Sequence, residues 1–147
     1  MSTSVSFNYR EGGTLPDGLK IPNIPTMTLL LVRTDIEKAA LADGLVDTGF
    51  DGAIYSNLEL ANFLSGMRPT STTEMESPGH LIEGEVFEVP TILVTDKAVR
   101  RVDLGNSEIF VPLNPSDLTE DIVIGRKILN KFRIMLDGPR SRLTIQT

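Results

Sequence analysis

Residues 45–49 read Leu-Val-Asp-Thr-Gly (LVDTG), and this stretch decides the fold assignment. Two apolar residues anchor the end of a β-strand, and Asp47 leaves the strand where the backbone turns. Thr48 supplies a hydroxyl that can fix the turn, and Gly49 has no side chain to hold a second backbone away. The stretch predicts a carboxylate displayed at a strand end. Because Asp and Gly are common turn formers, a loop aspartate that only caps a turn is the alternative.

A single carboxylate is a poor catalyst of amide hydrolysis. Two carboxylates held close together cannot both ionise easily, so they share a proton, and one acts as a base while the other acts as an acid. The chain carries the LVDTG stretch once. The second carboxylate must therefore come from a second copy, which a two-fold symmetric homodimer would place opposite Asp47.

Short apolar runs separated by Gly and Pro predict a mostly β chain. The predicted strands are Met27–Arg33, Ala39–Asp47, Glu85–Val94, Val99–Leu104, Glu108–Val111, Phe132–Leu136 and Arg142–Gln146. Pro90 marks an edge or a bulge. Gly105-Asn106 is expected to join the fourth and fifth of these strands, and Asp137-Gly138-Pro139 to join the last two in a hairpin.

Two short helices are predicted beside these strands. Ser56–Leu64 begins with a capping box of Ser56 and Glu59, and its four inward residues would be Leu58, Leu60, Phe63 and Leu64. Gly125–Asn130 is the second helix, with Ile128 and Leu129 as its apolar face. The predicted fold class is a closed β-barrel or sandwich with one or two short helices.

A second motif, Ile122–Arg126 (IVIGR), follows LVDTG late in the chain. Together the two motifs resemble those of the retropepsin-like (clan AA) aspartic peptidases, which carry an apolar-apolar-Asp-Thr/Ser-Gly loop and an apolar-apolar-Gly-Arg segment opening a helix. The resemblance implies a retropepsin-like closed β-barrel that acts as a two-fold dimer. It implies that Asp47 is the catalytic acid, supported by Thr48 and Gly49.

The same resemblance implies further site residues. Thr48 would contact backbone across the dimer axis, and Gly49 and Asp51 would hold substrate main chain. Gly125 and Arg126 would give structural support, with Arg126 pairing with Asp51. Two unrelated surface charges are the alternative for that pair. The family's flap hairpin would correspond to Thr73–Phe87, where Gly79 and His80 near the tip are candidate substrate contacts. An exposed loop histidine is the plainer interpretation of His80.

Composition limits the other possibilities. The 147 residues suit an N-terminal arm, residues 1–26, followed by one domain, residues 27–147. A net charge of −6 disfavours nucleic acid as a partner. Because the chain has no cysteine and a single histidine, we predict no thiolate or histidine-based metal site. A Ser-His-Asp triad would need His80, but the sequence has no nucleophile-elbow motif. No cofactor is expected. The absence of a long apolar run predicts no membrane span and, by default, a cytoplasmic location.

Three functional hypotheses remain open at this level. The first is an aspartic endopeptidase, a hydrolase whose homodimer cleaves peptides or proteins through a water activated by the Asp47 pair. The second is a catalytically silent peptide-binding or dimerisation module on the same fold. The third is an unrelated β-barrel in which the Asp-Thr-Gly triplet is accidental.

Overall fold

The computed structural model describes residues 4–94 and 101–147, and these residues are mostly β-strand. The strands are β1 (Ser4–Asn8), β2 (Thr26–Arg33), β3 (Lys38–Val46), β4 (Ile54–Tyr55), β5 (Ser71–Ser77), β6 (His80–Val94), β7 (Arg101–Pro112), β8 (Ile122–Ile124), β9 (Arg133–Asp137) and β10 (Arg142–Gln146). The helices are α1 (Leu58–Phe63) and α2 (Arg126–Leu129), and Pro115–Asp117 forms a single 3-10 turn.

Six of these strands close into a barrel. The order β2-β3-β8-β4-β7-β6 returns on itself because β6 also pairs with β2, through Leu29↔Leu93 and its two neighbours. Closure leaves the barrel no free edge, and β5 is attached outside it as the hairpin partner of β6. The predicted fold class, a mostly β closed barrel with two short helices, is confirmed.

The barrel interior is apolar, as the alternation along its strands requires. In β2, Met27, Leu29 and Leu31 are fully buried. They belong to one cluster of buried residues that also includes Ile124 of β8 and Ile128 of α2. The two helices therefore pack on the barrel, and each buried aliphatic side chain contributes about 1.5–3 kcal/mol relative to exposure.

A second sheet of three strands, in the order β1-β10-β9, covers one side of the core. β1 pairs with β10 from Ser4↔Gln146 to Asn8↔Arg142, and Val5 and Phe7 are buried. Residues Ser4–Asn8 of the expected arm therefore form a strand of this sheet. Its alternating apolar residues gain burial only because a strand from the far end of the sequence lies beside them. The division into arm and domain at residues 26 and 27 stays a prediction.

One strand prediction is wrong. Gly105-Asn106 does not join two strands, because β7 is a single strand that passes through it. Gly105 has a φ of 68°, and the pairing with β6 shifts register between Pro90 and Ile92. Pro90 pairs with Asn106, and Gly105 falls within the register shift next to this pair, so the ladder has a bulge here. Of the edge or bulge expected at Pro90, the structure has the bulge. Residues 99 and 100 of the predicted strand lie outside the described residues.

The start of α1 also differs from the prediction. Asn57, not Ser56, is the N-cap, because its side chain accepts a hydrogen bond from the Leu60 amide at 2.9 Å. The Ser56 hydroxyl is buried and donates to the Asn57 carbonyl instead. Leu60 and Leu64 are buried as expected, but Leu58 is 59% exposed. The helix begins one residue later than the capping box required, and Leu58, its first residue, lies on the solvent face.

The other predicted elements are present with ends shifted by at most two residues, except β6, which begins five residues before the predicted strand. β9 and β10 form the expected hairpin, paired from Arg142↔Asp137 to Gln146↔Arg133. α2 begins after Gly125 and buries Ile128 and Leu129. Within residues 4–94 and 101–147, no helix has the length and apolar character to cross a bilayer.

Candidate active site

The two sequence motifs meet on adjacent strands. β3, which ends in the LVDTG stretch, pairs in parallel with β8, through Leu45↔Val123 and Val46↔Ile124. Gly44 permits this contact, since a Cβ there would lie 2.6 Å from the Ile124 side chain. Parallel neighbours end at the same edge of a sheet. The loop after β3 and the helix after β8 therefore start side by side.

Asp47 is the first residue after β3, and local hydrogen bonds fix its carboxylate. One carboxylate oxygen, Oδ1, accepts from the Gly49 amide at 2.8 Å. The Asp47 amide donates to the Ile124 carbonyl, and the Asp47 carbonyl accepts from the Phe50 amide at 3.2 Å. Asp47, Thr48 and Gly49 are all exposed. The structure thus presents an oriented carboxylate on a closed turn, open to solvent in the single chain.

The residues at the start of α2 bind the backbone of the loop that follows Asp47. Three consecutive amides, of Gly125, Arg126 and Lys127, donate to the carbonyls of Ala53, Phe50 and Gly52, at 2.9, 2.9 and 3.2 Å. These are amides that a helix start leaves unpaired. A Cβ on Gly125 would lie 2.3 Å from the Gly52 carbonyl oxygen, so only glycine allows this approach. Through this contact Gly125 lets the start of α2 pack against the loop.

Arg126 reaches the loop in a different way from the one expected. Its Nη1 donates to the Thr48 carbonyl at 3.1 Å. It forms no ion pair with Asp51 among the contacts of the described residues, so the predicted Asp51–Arg126 pair is absent from the single chain. The guanidinium instead satisfies the carbonyl beside the Asp47 carboxylate, and it places a positive charge next to that loop.

A cleft of about 530 Å³ begins at Phe50 and Asp51, after the turn, and Asp47, Thr48 and Gly49 are not among the residues that line it. Phe50, Asp51 and Ile54 line its barrel side, and Thr73, Glu74 and Glu76 of β5 line its flap side. Lys127 of α2 also borders it, 2.7 Å from Glu108. The cleft has an apolar floor and a polar rim, and an open groove of this kind can accept an extended peptide.

The predicted flap is a hairpin of β5 and β6. It pairs from Ser71↔Val86 to Ser77↔His80, and Pro78-Gly79 forms its turn, with a φ of 90° at Gly79. Proline first and a left-handed glycine second are typical of a type II turn. One face of the hairpin packs on the barrel, where buried Ile82 joins a cluster with Tyr55 and Phe110.

The flap tip lies against the 3-10 turn. His80 Nε2 is 3.7 Å from Asp117 Oδ1, and the Tyr55 hydroxyl donates to the Asp117 carbonyl at 2.6 Å. Burial is the main cause that raises the pKa of Tyr55, and the Asp117 charge adds to it. Gly79 and His80 are not among the residues that line the cleft. Their substrate contact stays a prediction, whereas Asp51 does face the cleft.

The single chain presents one Asp47 carboxylate, and the catalytic pair that the sequence predicts across a dimer stays a prediction. Among the described residues, no group of three His, Cys, Asp or Glu side chains is arranged to hold a metal ion. Asp51, four positions after Asp47, forms no hydrogen bond with it among the contacts that the described residues make. The site gains two residues that the sequence reasoning missed, Phe50 and Lys127, which supply a carbonyl acceptor and an amide donor to the loop. Phe50 directly follows Gly49, and that adjacency was the available signal.

Comparisons with known proteins give a limited result. No family model matches the sequence, and no curated protein matches it. Among solved structures, the chain is similar to the EIAV protease in complex with the inhibitor HBY-793. That match has 20% sequence identity and a TM-score of 0.44, and covers 74% of this chain and 86% of the protease chain. A likeness this distant does not assign the chain to a family.

Proposed function

We propose that the protein is an aspartic endopeptidase, active as a homodimer in which Asp47 of each copy forms the catalytic pair. The observation that supports this most strongly is the construction of the Asp47 loop. Its carboxylate is exposed, oriented by the Gly49 amide, and held on a loop that receives three amides from α2. A turn-capping aspartate also accepts a bond from the amide two residues on, so it is the three bonds from the start of α2 that favour a positioned catalytic group.

The pair would work by sharing one proton. The ionised Asp47 takes a proton from water, and the water oxygen attacks the peptide carbonyl carbon. The protonated Asp47 of the other copy donates its proton to the carbonyl oxygen. Collapse of the tetrahedral intermediate returns that proton to the carboxylate, and the first acid protonates the leaving nitrogen. The step balances without a metal or an organic cofactor.

The substrate would be an extended segment of a peptide or protein. It would lie in the cleft and pair as a strand with the backbone of the loop and the flap. Asp51 on the cleft wall would accept hydrogen bonds from its amides, and Gly49 has no side chain to obstruct a main chain that extends beyond the cleft towards Asp47. Thr48 would contact backbone across the dimer axis. Activity is expected to favour mildly acidic pH, because one proton must remain on the pair.

Asp47→Asn tests the chemistry with little change in shape. We expect this variant to lose at least a thousandfold of cleavage rate against a peptide library, because neither copy can then supply a carboxylate. Asp43→Asn is the matched control, since Asp43 is an exposed acid of β3, four positions before Asp47. Equal cleavage by Asp47→Asn and the wild type would exclude Asp47 chemistry. Loss of activity on chelation would contradict the metal-free mechanism.

Subunit mixing tests the shared pair directly. Wild type and Asp47→Asn are dissociated, mixed in equal amounts and reassembled at random. If two copies of Asp47 are required, about one quarter of the dimers are active; if each subunit works alone, activity falls only to about one half. The Asp43→Asn protein mixed in the same way should retain full activity.

The silent peptide-binding module is distinguished by the same samples. A module of this kind would bind extended peptides in the cleft, and both the wild type and Asp47→Asn would leave them intact. Peptide binding followed by fluorescence anisotropy, without any cleavage by the wild type over a pH range from about 4 to 7, would favour the module over the enzyme.

A further inference from the structure

The tip of the flap hairpin extends beyond the strand that supports it. β6 pairs with β7 only from Gly84 onwards, and one further bond joins the Leu113 amide to the Glu83 carbonyl at 2.9 Å. From there to the turn, the backbone of the hairpin pairs only with itself within the described residues, as far as Ser77↔His80. The position of the tip relative to the barrel therefore depends on side-chain contacts.

The hairpin carries an excess of negative charge. Residues 71–87 contain four glutamates and no lysine or arginine. Glu74 lies directly opposite Glu83 in the strand pair, and neither glutamate has an ion pair in the part of the chain that the structure describes. Directly opposed like charges destabilise a strand pair. His80, at the tip, is the one side chain of the hairpin that can become positive.

The 3-10 turn beside the tip is firmly attached to β4 and to the start of α1. The hydroxyl of buried Tyr55 donates to the Asp117 carbonyl at 2.6 Å. The side-chain amide of Asn57 donates to the Glu120 carbonyl at 3.4 Å, and Asn57 also forms an isolated β-bridge with Thr119. These contacts fix the backbone that carries the Asp117 carboxylate, so the turn is a stable surface on which the flap tip can rest.

His80 joins the tip to this turn. Its Nε2 is 3.7 Å from Asp117 Oδ1, and the two side chains are 56% and 26% exposed. Among the described residues Asp117 is its only ion-pair partner, and Glu76, next to the residue opposite His80, adds negative charge at the tip. Tyr55, the other titratable group at the turn, keeps its proton because burial raises its pKa.

The charge of this contact changes in a range where the charges around it do not. Histidine ordinarily gains its proton between pH 8 and pH 5, whereas a carboxylate ordinarily stays ionised over most of that range. The contact between His80 and Asp117 is therefore an ion pair in mild acid and a weaker polar contact above neutral pH.

We propose that His80 and Asp117 form a pH-dependent latch that positions the flap. When His80 is protonated, its charge holds the flap tip on the 3-10 turn, and when it is neutral the tip is released. With the tip held, β5 stays where Thr73, Glu74 and Glu76 form the flap side of the cleft. The latch is a property of the free chain, and its effect on substrate rests on the proposed function. Because a wall that is fixed in advance loses less conformational entropy on binding, the cleft should bind an extended peptide more tightly in mild acid.

Hydrogen exchange of the flap in the unliganded protein tests the latch. In the wild type, the protection factor of the amides in residues 71–87 should rise about threefold to fivefold from about pH 8 to about pH 5.5, the gain that one exposed ion pair supports. The β9–β10 hairpin serves as a reference in the same sample, and its protection factor should not change. The chain has a single histidine, so no other histidine contributes to the difference.

Two substitutions of His80 separate its charge from its place in the hairpin. His80→Gln cannot become positive, so flap protection should stay at the lower value at both pH values, and Asp117→Asn should behave in the same way. His80→Lys is positive at both, so protection should stay at the higher value. Glu120→Gln is the matched control, since Glu120 is an exposed acid three positions after Asp117. It should keep the pH change of the wild type.

Two results would overturn the latch. One is a wild-type flap whose protection factor is the same at both pH values. The other is a pH change in His80→Gln as large as that of the wild type, because the change would then come from the glutamates of the hairpin rather than from His80.

Peptide binding connects the latch to the cleft. In an Asp47→Asn background, the dissociation constant of an extended peptide, measured by fluorescence anisotropy, should be about threefold lower near pH 5.5 than near pH 8. Adding His80→Lys should abolish this difference, and a difference that persists would contradict the effect of the latch on the cleft. If the Asp47→Asn protein binds no peptide at either pH, the proposed function fails, and the exchange measurement alone decides whether the latch exists.

Discussion

Gly125→Ala is predicted to separate the two motifs that form the site. A Cβ at this position would lie 2.3 Å from the Gly52 carbonyl oxygen, 2.5 Å from the Phe50 ring and 2.7 Å from the Phe50 carbonyl oxygen. Two of these three contacts are with backbone, so no side-chain rotation relieves them. Relief requires α2 to move away from the loop, which lengthens the hydrogen bonds that Ala53 and Phe50 accept.

The expected cost combines overpacking with weakened hydrogen bonds. Overpacking of a well-packed site costs about 1–3 kcal/mol, and a weakened hydrogen bond costs about 0.5–1.5 kcal/mol. We expect a loss of about 3 kcal/mol in the free energy of unfolding. With an m-value of about 2 kcal/mol per molar urea, the midpoint of unfolding falls by about 1.5 M. Wild type and variant must be compared at one protein concentration, because a dimer gains stability from association.

Gly138→Ala is the matched control for this measurement. A Cβ at Gly138 meets nothing within 4 Å, and its φ lies outside the left-handed region. It should unfold within about 0.5 kcal/mol of the wild type. Gly125→Ala should also lose cleavage activity, because the loop that carries Asp47 moves with the helix. A midpoint for Gly125→Ala equal to that of Gly138→Ala would refute the close contact between α2 and the loop.

Three further predictions concern the rest of the fold and the site. Leu60→Ala should lose about 2–4 kcal/mol of unfolding free energy in urea, whereas Leu58→Ala on the exposed face should change it by less than about 0.5 kcal/mol; equal losses would contradict the orientation of α1. The hydrogen bond from Arg10 lowers the pKa of Asp121, so this carboxylate stabilises the fold above its ordinary pKa and the gain disappears as pH falls through the lowered value. Asp121→Asn should therefore cost under about 1 kcal/mol at neutral pH and nothing near pH 2, and a difference that persists in acid would contradict this. Arg126→Ala should lower the cleavage rate about tenfold with partial recovery in Arg126→Lys, because a cation at that position can still donate to the Thr48 carbonyl; activity equal to the wild type would show that this contact does not position the loop.

The barrel strands could be predicted from the sequence because their signal is local. Thr26–Arg33 and Lys38–Val46 alternate or run apolar over many residues, and the structure places both within one residue of the predicted start. The hairpin of β9 and β10 was marked by its turn residues. The two motifs were found because each combines an apolar strand end with a glycine, and the structure places them on neighbouring parallel strands.

The features that the sequence did not predict correctly depend either on residues far along the chain or on two local signals that compete. β1 is stabilised by a strand that begins more than 130 positions later, and no local feature of residues 4–8 predicts that partner. Gly105-Asn106 carries a turn signal, but pairing along the whole of β6 outweighs it and converts the turn into a bulge. Ser56 and Asn57 are both good caps, and burial of the Ser56 hydroxyl decides between them. For the Asp51–Arg126 pair, the Arg126 guanidinium donates to the Thr48 carbonyl in the single chain.

A crystal structure of the assembled protein would test the central claim most directly, through the distance between the Asp47 carboxylates of two copies. We predict a two-fold dimer in which the nearest carboxylate oxygens are about 2.6–3.2 Å apart, close enough to share a proton. A dimer that keeps these side chains more than about 8 Å apart, beyond direct hydrogen bonding or a single bridging water, would contradict it.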